Sequence, residues 1–519
     1  MYKKFSLILS SVLALSVTPA LADPIKIESD NIVFYGDAPP KTAKLIVEKM
    51  EIYRKIIMTL AGVDTAPDEK KLSIYAFDRA SDIEDFAGIR GVAGVYTSGY
   101  DGPLLITPLR GALRQDSFNN QVSLHEYSHH VLHGYMKTAY PRWYDEGFAN
   151  YLSTFHMEDG TIQIGRAAAQ HARGLMGRGA EWVDVEDVLG AIRVYPFADK
   201  GSKRGFLMNQ FYAQSWLYVH YLHSDRELSG RFGDYLNRIN AGEEPLEAFE
   251  NGFGVSPEEF HEAAQEYWYD NKFKVQQFSP KADFLEVPLK VQRISDAELD
   301  LQMALGQRAF LGEDNLKSYI KRLNSYEKKE GQTAQTLAAY VPYFINKKDY
   351  DQAETYALYA LSKAPESVEA LRMAGDAYFH KSHDKEFEEL EDTDPRIYTM
   401  NEDMTKAIDY FKRTLDKSDE DYNAVIHMVT AYGSSDFPIT QDARNAALTY
   451  EALYWDANNV KGSLDLANIL MKSGDTEEAC VYFTTARQQV NTDPDKDENY
   501  LANHVEGMMP TFGAECDLD

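Results

Sequence analysis

Leu124-His125-Glu126-Tyr127-Ser128-His129-His130 places His-Glu-x-x-His inside a stretch with helical periodicity. On a helix of 3.6 residues per turn, residues four apart lie about 40° from each other, so the imidazoles of His125 and His129 reach one point from one face. Glu126 is turned about 100° onward, at the rim of that face. The other side, Leu124, Tyr127, Ser128, Val131 and Leu132, follows the i, i+3, i+4, i+7, i+8 rhythm of a buried stripe. One side packs and the other carries chemistry. The pattern is a signature of two zinc-binding histidines with a glutamate placed to take a proton from a water at the metal.

A catalytic zinc needs a third protein ligand and an open fourth position. Downstream, Pro141-Arg142-Trp143-Tyr144-Asp145-Glu146-Gly147-Phe148-Ala149-Asn150-Tyr151 supplies a carboxylate on a second helix, with Glu146 17 positions after His129. That interval lets the first helix end near Gly134 and a second return beside it, started by Pro141. Gly147 and Ala149 are small, so this helix is expected to approach the metal helix closely.

The two stretches together resemble the gluzincin metallopeptidases, in particular the bacterial peptidase MA-like domains. The resemblance lies in His125-Glu126-x-x-His129 and in Pro-x-Trp-x-x-Glu-Gly-x-Ala-x-Tyr from Pro141 to Tyr151. It implies an α+β metallopeptidase domain over residues 23–275, a small sheet plus zinc-binding helices, with Zn2+ held by His125, His129 and Glu146. It also implies Glu126 as general base and a peptide or protein as substrate. The interval between second histidine and glutamate is slightly shorter than in thermolysin and the large aminopeptidases and fits the MA-like arrangement. The Gly-Ala-Met-Glu-Asn element of the aminopeptidases is absent, so aminopeptidase action is not implied.

Phe211 to Leu222 resembles the later helix of MA-like domains. A developing oxyanion beside the metal calls for a hydrogen-bond donor. Tyr212 is the candidate, with His220 in reserve. Asn150, one turn after Glu146, is a candidate to steady a ligand histidine from behind.

Outward from the metal helix, Asn31 to Tyr35 and Leu72 to Phe77 read as strands, and Lys41 to Leu60 as an amphipathic helix. Gly94 to Thr107 reads as a hairpin around a Gly/Asp/Pro turn. In gluzincins the sheet before the metal helix offers an edge strand to the substrate. By that resemblance the hairpin lies beside the cleft.

Residues 1–22 have the form of a secretory leader: Lys3 and Lys4, an apolar run, then Ala20-Leu21-Ala22 as a cleavage pattern. The run is short for a membrane span, and no later apolar stretch reaches spanning length. A periplasmic or secreted protein without stable membrane association is expected after cleavage. Its net charge of −29, more negative still without the two leader lysines, repels nucleic acid. Cys480 and Cys516 are the only cysteines. An oxidising compartment permits one bridge between them, but spacing alone leaves the pairing open.

Residues 276–294 lose helical periodicity around Pro280 and Pro288 and read as a linker. Beyond it, over 295–519, the pattern is helix after helix. Leu337, Tyr340 and Phe344, followed by Ala353, Ala357, Ala360 and Pro365, resemble a tetratricopeptide repeat. Leu371, Ala374, Gly375 and Tyr378 reopen the pattern 34 positions on, the length of that repeat. An acidic insertion around Glu386 to Asp394 precedes the second helix at Ala407 and Phe411, and a late copy runs through Leu466, Ala467, Leu470, Ala479, Phe483 and Ala486. The resemblance implies an all-α tetratricopeptide-like solenoid that binds a protein partner on its concave face. A different class of reading, a periplasmic repeat scaffold whose zinc domain is inactive or structural, leaves the intact Glu126 without a purpose.

Overall fold

A computed structural model describes residues 24–61, 70–90, 94–99, 102–109, 113, 118–135, 140–167, 169–176, 182–191, 204–271, 273–387, 389–390, 394, 396–455, 459–491 and 500–516. The expected leader, 1–22, lies outside them.

The chain opens with β1 (Pro24–Glu28), β2 (Ile32–Asp37), α1 (Pro40–Ala61), β3 (Leu72–Phe77), α2 (Ala80–Ala87), β4 (Val95–Gly99) and β5 (Gly102–Pro108). The metal-motif helices α3 (Phe118–Tyr135) and α4 (Arg142–Leu152) follow, then β6 (His156–Glu158), β7 (Thr161–Ile164), α5 (Ala169–Leu175) and α6 (Val185–Leu189). Next come α7 (Arg204–Ser224), α8 (Arg226–Asn240), α9 (Pro245–Phe253), α10 (Pro257–Asp270), β8 (Gln276–Phe278), α11 (Ala282–Leu285) and β9 (Lys290–Arg293).

The larger sheet is mixed, in the order β4-β5-β3-β2-β1-β9, with β2, β3 and β5 parallel and the other pairings antiparallel. Alternation along β3 explains why helices cover both faces. Leu72 and Ile74 pack with Val47, Met50 and Leu124 of α1 and α3, while Tyr75 and Phe77 pack with Ile83 and Phe86 of α2. Burying one large aliphatic side chain contributes about 1.5–3 kcal/mol, so a strand apolar on both sides is stable only between two helical layers. The buried stripe expected on α3, Leu124, Tyr127, Ser128, Val131 and Leu132, is in this core.

Residues 276–294, expected as a linker, instead carry two short strands. β8 joins β6 and β7 in a three-stranded sheet, and β9 pairs with β1 as an edge of the larger one. All four residues of β9 are exposed, so backbone pairing holds it without an apolar pattern to betray it.

The remainder is helical: α12 (Asp296–Gln307), α13 (Leu316–Glu330), α14 (Ala334–Asn346), α15 (Tyr350–Lys363), α16 (Val368–Phe387), α17 (Glu402–Leu415), α18 (Tyr422–Gly433), α19 (Gln441–Thr449), α20 (Val460–Ser473), α21 (Thr476–Asn491) and α22 (Tyr500–Glu515). Each helix packs on the next. Leu337, Ala353, Ala357, Ala360, Leu371 and Ala374 form one shared core, so the small residues of the 34-residue pattern are where adjacent helices meet. The expected insertion falls between α16 and α17, partly outside the described residues. A disulfide joins Cys480 to Cys516, tying α22 to α21. Among the described residues no helix is long and apolar enough to cross a membrane.

Candidate metal centre

The two motif helices bring together all three residues expected to hold metal. Nε2 of His125 lies 3.2 Å from Nε2 of His129, and Oε2 of Glu146 lies 3.2 Å from the first and 3.5 Å from the second. His125 and His129 come from one face of α3, four residues apart. Glu146 comes from α4, whose first turn is set by Pro141, with the N–H groups of Tyr144 and Asp145 donating to the Pro141 carbonyl. Glu146 is 4% exposed, far too buried for a carboxylate without a charged partner.

Protonation explains why these atoms call for a cation. Nδ1 of His129 stands 3.1 Å from Oδ1 of Asp145 and donates to it. In the neutral ring, Nε2 therefore carries a lone pair, turned toward another ring nitrogen and a carboxylate oxygen. Donors bound tetrahedrally at about 2.0–2.1 Å from zinc lie about 3.3 Å apart, which matches the three separations. The residues fit a divalent metal and are able to hold one.

The electrostatics carry the same mark. Burial works against a charged His129, yet Asp145 and Glu146 hold its pKa well above the ordinary imidazole value. Burial likewise disfavours ionised Glu146, but His129 and His125 pull its pKa below the usual carboxylate range.

Glu126 is half-buried beside the cluster. Burial raises its pKa, the charges of His125 and His129 oppose the rise, and Glu146 adds to it. The backbone of Tyr96 hydrogen-bonds the Glu126 carboxylate. Tyr96 belongs to β4, the edge strand of the six-stranded sheet, so the Gly94 to Thr107 hairpin does lie against the metal helix. The Tyr96 hydroxyl also meets Nδ1 of His130 at 2.9 Å, and the His130 ring stacks on Tyr127.

Other expected residues fare differently. His220 is not available as a donor to an oxyanion: its Nε2 donates to the Gly165 carbonyl at 2.7 Å and its Nδ1 takes the Tyr267 hydroxyl at 2.9 Å. Tyr212 is half-buried on α7 with its ring edge-on to Phe211. It shares a helix face with Ser215 and Val219, the residues that meet α4 at Gly147. Asn150 is buried, but Nδ1 of His125 has no hydrogen-bond partner among the described residues and Nδ1 of His129 meets Asp145, so Asn150 does not steady a ligand histidine. Asp145 does that instead, with Arg142 Nη1 3.5 Å from its second oxygen and 3.7 Å from Oε1 of Glu146.

Gly147 also works differently from expectation. A Cβ there would stand 2.3 Å from the Ser215 carbonyl oxygen, so the close approach is to α7, not to α3. His171 of α5 is a further residue near the site that sequence reasoning passed over. Its ring is buried and stacked on Trp216, and burial first, then the charge of His125, lowers its pKa to about 3. Neither Asp145 nor His171 sits in a motif of its own; a screen for polar residues adjacent to the ligands would have found only the first.

Compared with models of known protein families and with curated proteins, the chain matches none.

Proposed function

We propose that this chain is an exported zinc-dependent peptidase of gluzincin type, followed by tetratricopeptide-like repeats that recruit a protein substrate or partner. The observation that carries the reading is the meeting of His125 Nε2, His129 Nε2 and Glu146 Oε2 with Glu126 alongside, beneath the β4 edge. A purely structural site has no use for a carboxylate held next to the ligands and beside β4, the edge strand of the sheet among the described residues.

When bound, zinc polarises a carbonyl and acidifies a water. Glu126 takes the proton of the attacking water and passes it to the amine nitrogen as the carbon–nitrogen bond breaks. Asp145 keeps the Nδ1 proton of His129 engaged, so Nε2 faces the centre as a lone pair. The β4 edge aligns an extended substrate by strand addition. Tyr212, on the α7 face that packs on α4, is the candidate donor to the oxyanion.

The helical half supports partner binding through its architecture, since helix pairs that bury their faces only against neighbours stack into a solenoid with a concave surface. The Cys480–Cys516 bridge supports an oxidising compartment, in keeping with export. The test is Glu126→Gln, assayed with a mixed peptide library and by metal analysis. The variant should keep its metal and lose nearly all cleavage; a fully active variant would sink the assignment.

A further inference from the structure

A second set of metal-type donors lies far along the chain, on α16, in His380-Lys381-Ser382-His383-Asp384. Positions i, i+3 and i+4 share one side of a helix, so His380, His383 and Asp384 project together. Nδ1 of His380 stands 3.1 Å from Oδ2 of Asp384, and Nε2 of His383 stands 3.1 Å from Oδ1 of the same carboxylate. One donor atom from each residue falls within 4.8 Å of the others.

The hydrogen bonds behind His383 decide which of its nitrogens faces the carboxylate. The Ser382 hydroxyl lies 2.6 Å from the Phe379 carbonyl, which can only accept, so its proton is committed there. The Ser382 oxygen is then left to accept from Nδ1 of His383 at 3.1 Å. Nε2 is consequently the lone-pair nitrogen of the neutral ring, and it points at a carboxylate oxygen. Two acceptors at that distance need a positive charge between them. Without a metal, a proton on one ring can supply that charge, pairing one imidazolium with the Asp384 carboxylate while the other ring donates to it in its neutral form. One divalent cation satisfies all three groups at once.

We propose that His380, His383 and Asp384 form a second metal site, selective for a first-row divalent transition ion of the zinc class. Two imidazoles and one carboxylate suit zinc, cobalt, nickel or copper, and disfavour calcium and magnesium, which take oxygen donors. The Ser382 contact is the support that metal-bound histidines receive through their second nitrogen. His380 and Asp384 keep about a quarter of their side-chain surface exposed, 26% and 24%, so an ion can reach the site from solvent. Around it, Asp376 sits 3.1 Å from Nδ1 of His427 and takes both its oxygens' hydrogen bonds from Asn423, at 2.7 Å each. The site lies at the end of α16 where the chain leaves for the insertion, and the Tyr398 ring returns to pack 4.6 Å from that of His383. A bound ion would clamp this turn of helix at the base of the inserted segment.

The test uses the full chain, stripped of metal and titrated with Co2+ and then Zn2+, reading stoichiometry and the cobalt d–d absorption. Wild type should bind two equivalents, His383→Ala one, His125→Ala one, and the double variant none. Asp384→Asn, closer in shape, guards against a folding defect: it should show the same loss of one equivalent while its metal-free circular dichroism keeps the helical content of wild type, with Tm lowered only by the weakened contacts to His380, His383 and Tyr350. One wild-type equivalent that disappears in His125→Ala and is untouched by His383→Ala or Asp384→Asn would overturn the proposal. One wild-type equivalent lost only in the α16 variants would uphold it and count against the N-terminal centre instead.

Discussion

Asp145 holds the Nδ1 proton of His129 at 3.1 Å and thereby fixes which nitrogen that ring turns toward Glu146. Both partners are largely buried, at 2% and 12% side-chain exposure, so the contact is shielded from screening by water. Supports of this kind are commonly worth 10–100-fold in metal affinity. Asp145→Asn should therefore weaken zinc binding at the N-terminal centre by about that factor, measured by chelator competition in a His383→Ala background. An unchanged affinity would reduce Asp145 to an ordinary buried acid.

Gly147 has no room for a side chain against Ser215 and Val219 of α7. Gly147→Ala should force the two helices apart at an overpacking cost of about 1–3 kcal/mol, and it would shift Glu146 with them. A lowered Tm together with weakened zinc binding is the expected pair of results; a Tm equal to wild type would mean that α7 yields easily there.

His223 lies among Tyr144, Phe148 and Tyr151, and burial first, then His220, lowers its pKa to about 4. Its unfolded value is about 6.5, so between those two pH values the unfolded chain binds a proton that the folded chain refuses. Stability therefore rises with pH across this window and is lost on acidification. His223→Phe keeps an aromatic ring and removes the titration. Urea midpoints at pH 4.5 and pH 7 should differ less in the variant, by up to about 2 kcal/mol of unfolding free energy; parallel losses in both proteins would show that His223 is not the group responsible.

The Cys480–Cys516 bridge closes a separation of 36 residues between α21 and α22. Constraint of the unfolded chain on that scale stabilises by about 2–4 kcal/mol. Reduction, or Cys516→Ser, should lower the stability of the helical half and leave zinc binding at His125 and His129 intact. Loss of zinc on reduction would show that the bridge supports the N-terminal centre as well.

Much of the site was legible because its information is local. His125 and His129 are paired by helix geometry, and Glu146 by the next helix carrying a buried acid. What escaped depended on partners far away in sequence. Asp145 looks like any first-turn acid until α3 is laid beside it. Gly147 announces a close approach but not to which helix, and the true neighbour, α7, lies about seventy residues further on. The strands β8 and β9 are three and four residues long and largely lack buried apolar faces, so no periodicity separated them from a connector. His220 carried a suggestive position on α7, yet its two nitrogens are occupied by Gly165 and Tyr267, contacts that no spacing rule foretells.

The metal content of Glu146→Ala against wild type and Glu126→Gln bears most directly on the N-terminal centre, because it needs no knowledge of the substrate. Measured on purified mature protein, Glu146→Ala should lose one equivalent of zinc and all cleavage, while Glu126→Gln keeps the metal of wild type. Glu146→Ala that retains the full wild-type zinc content would contradict the assignment of Glu146 as third ligand and, with it, the peptidase mechanism built on that site.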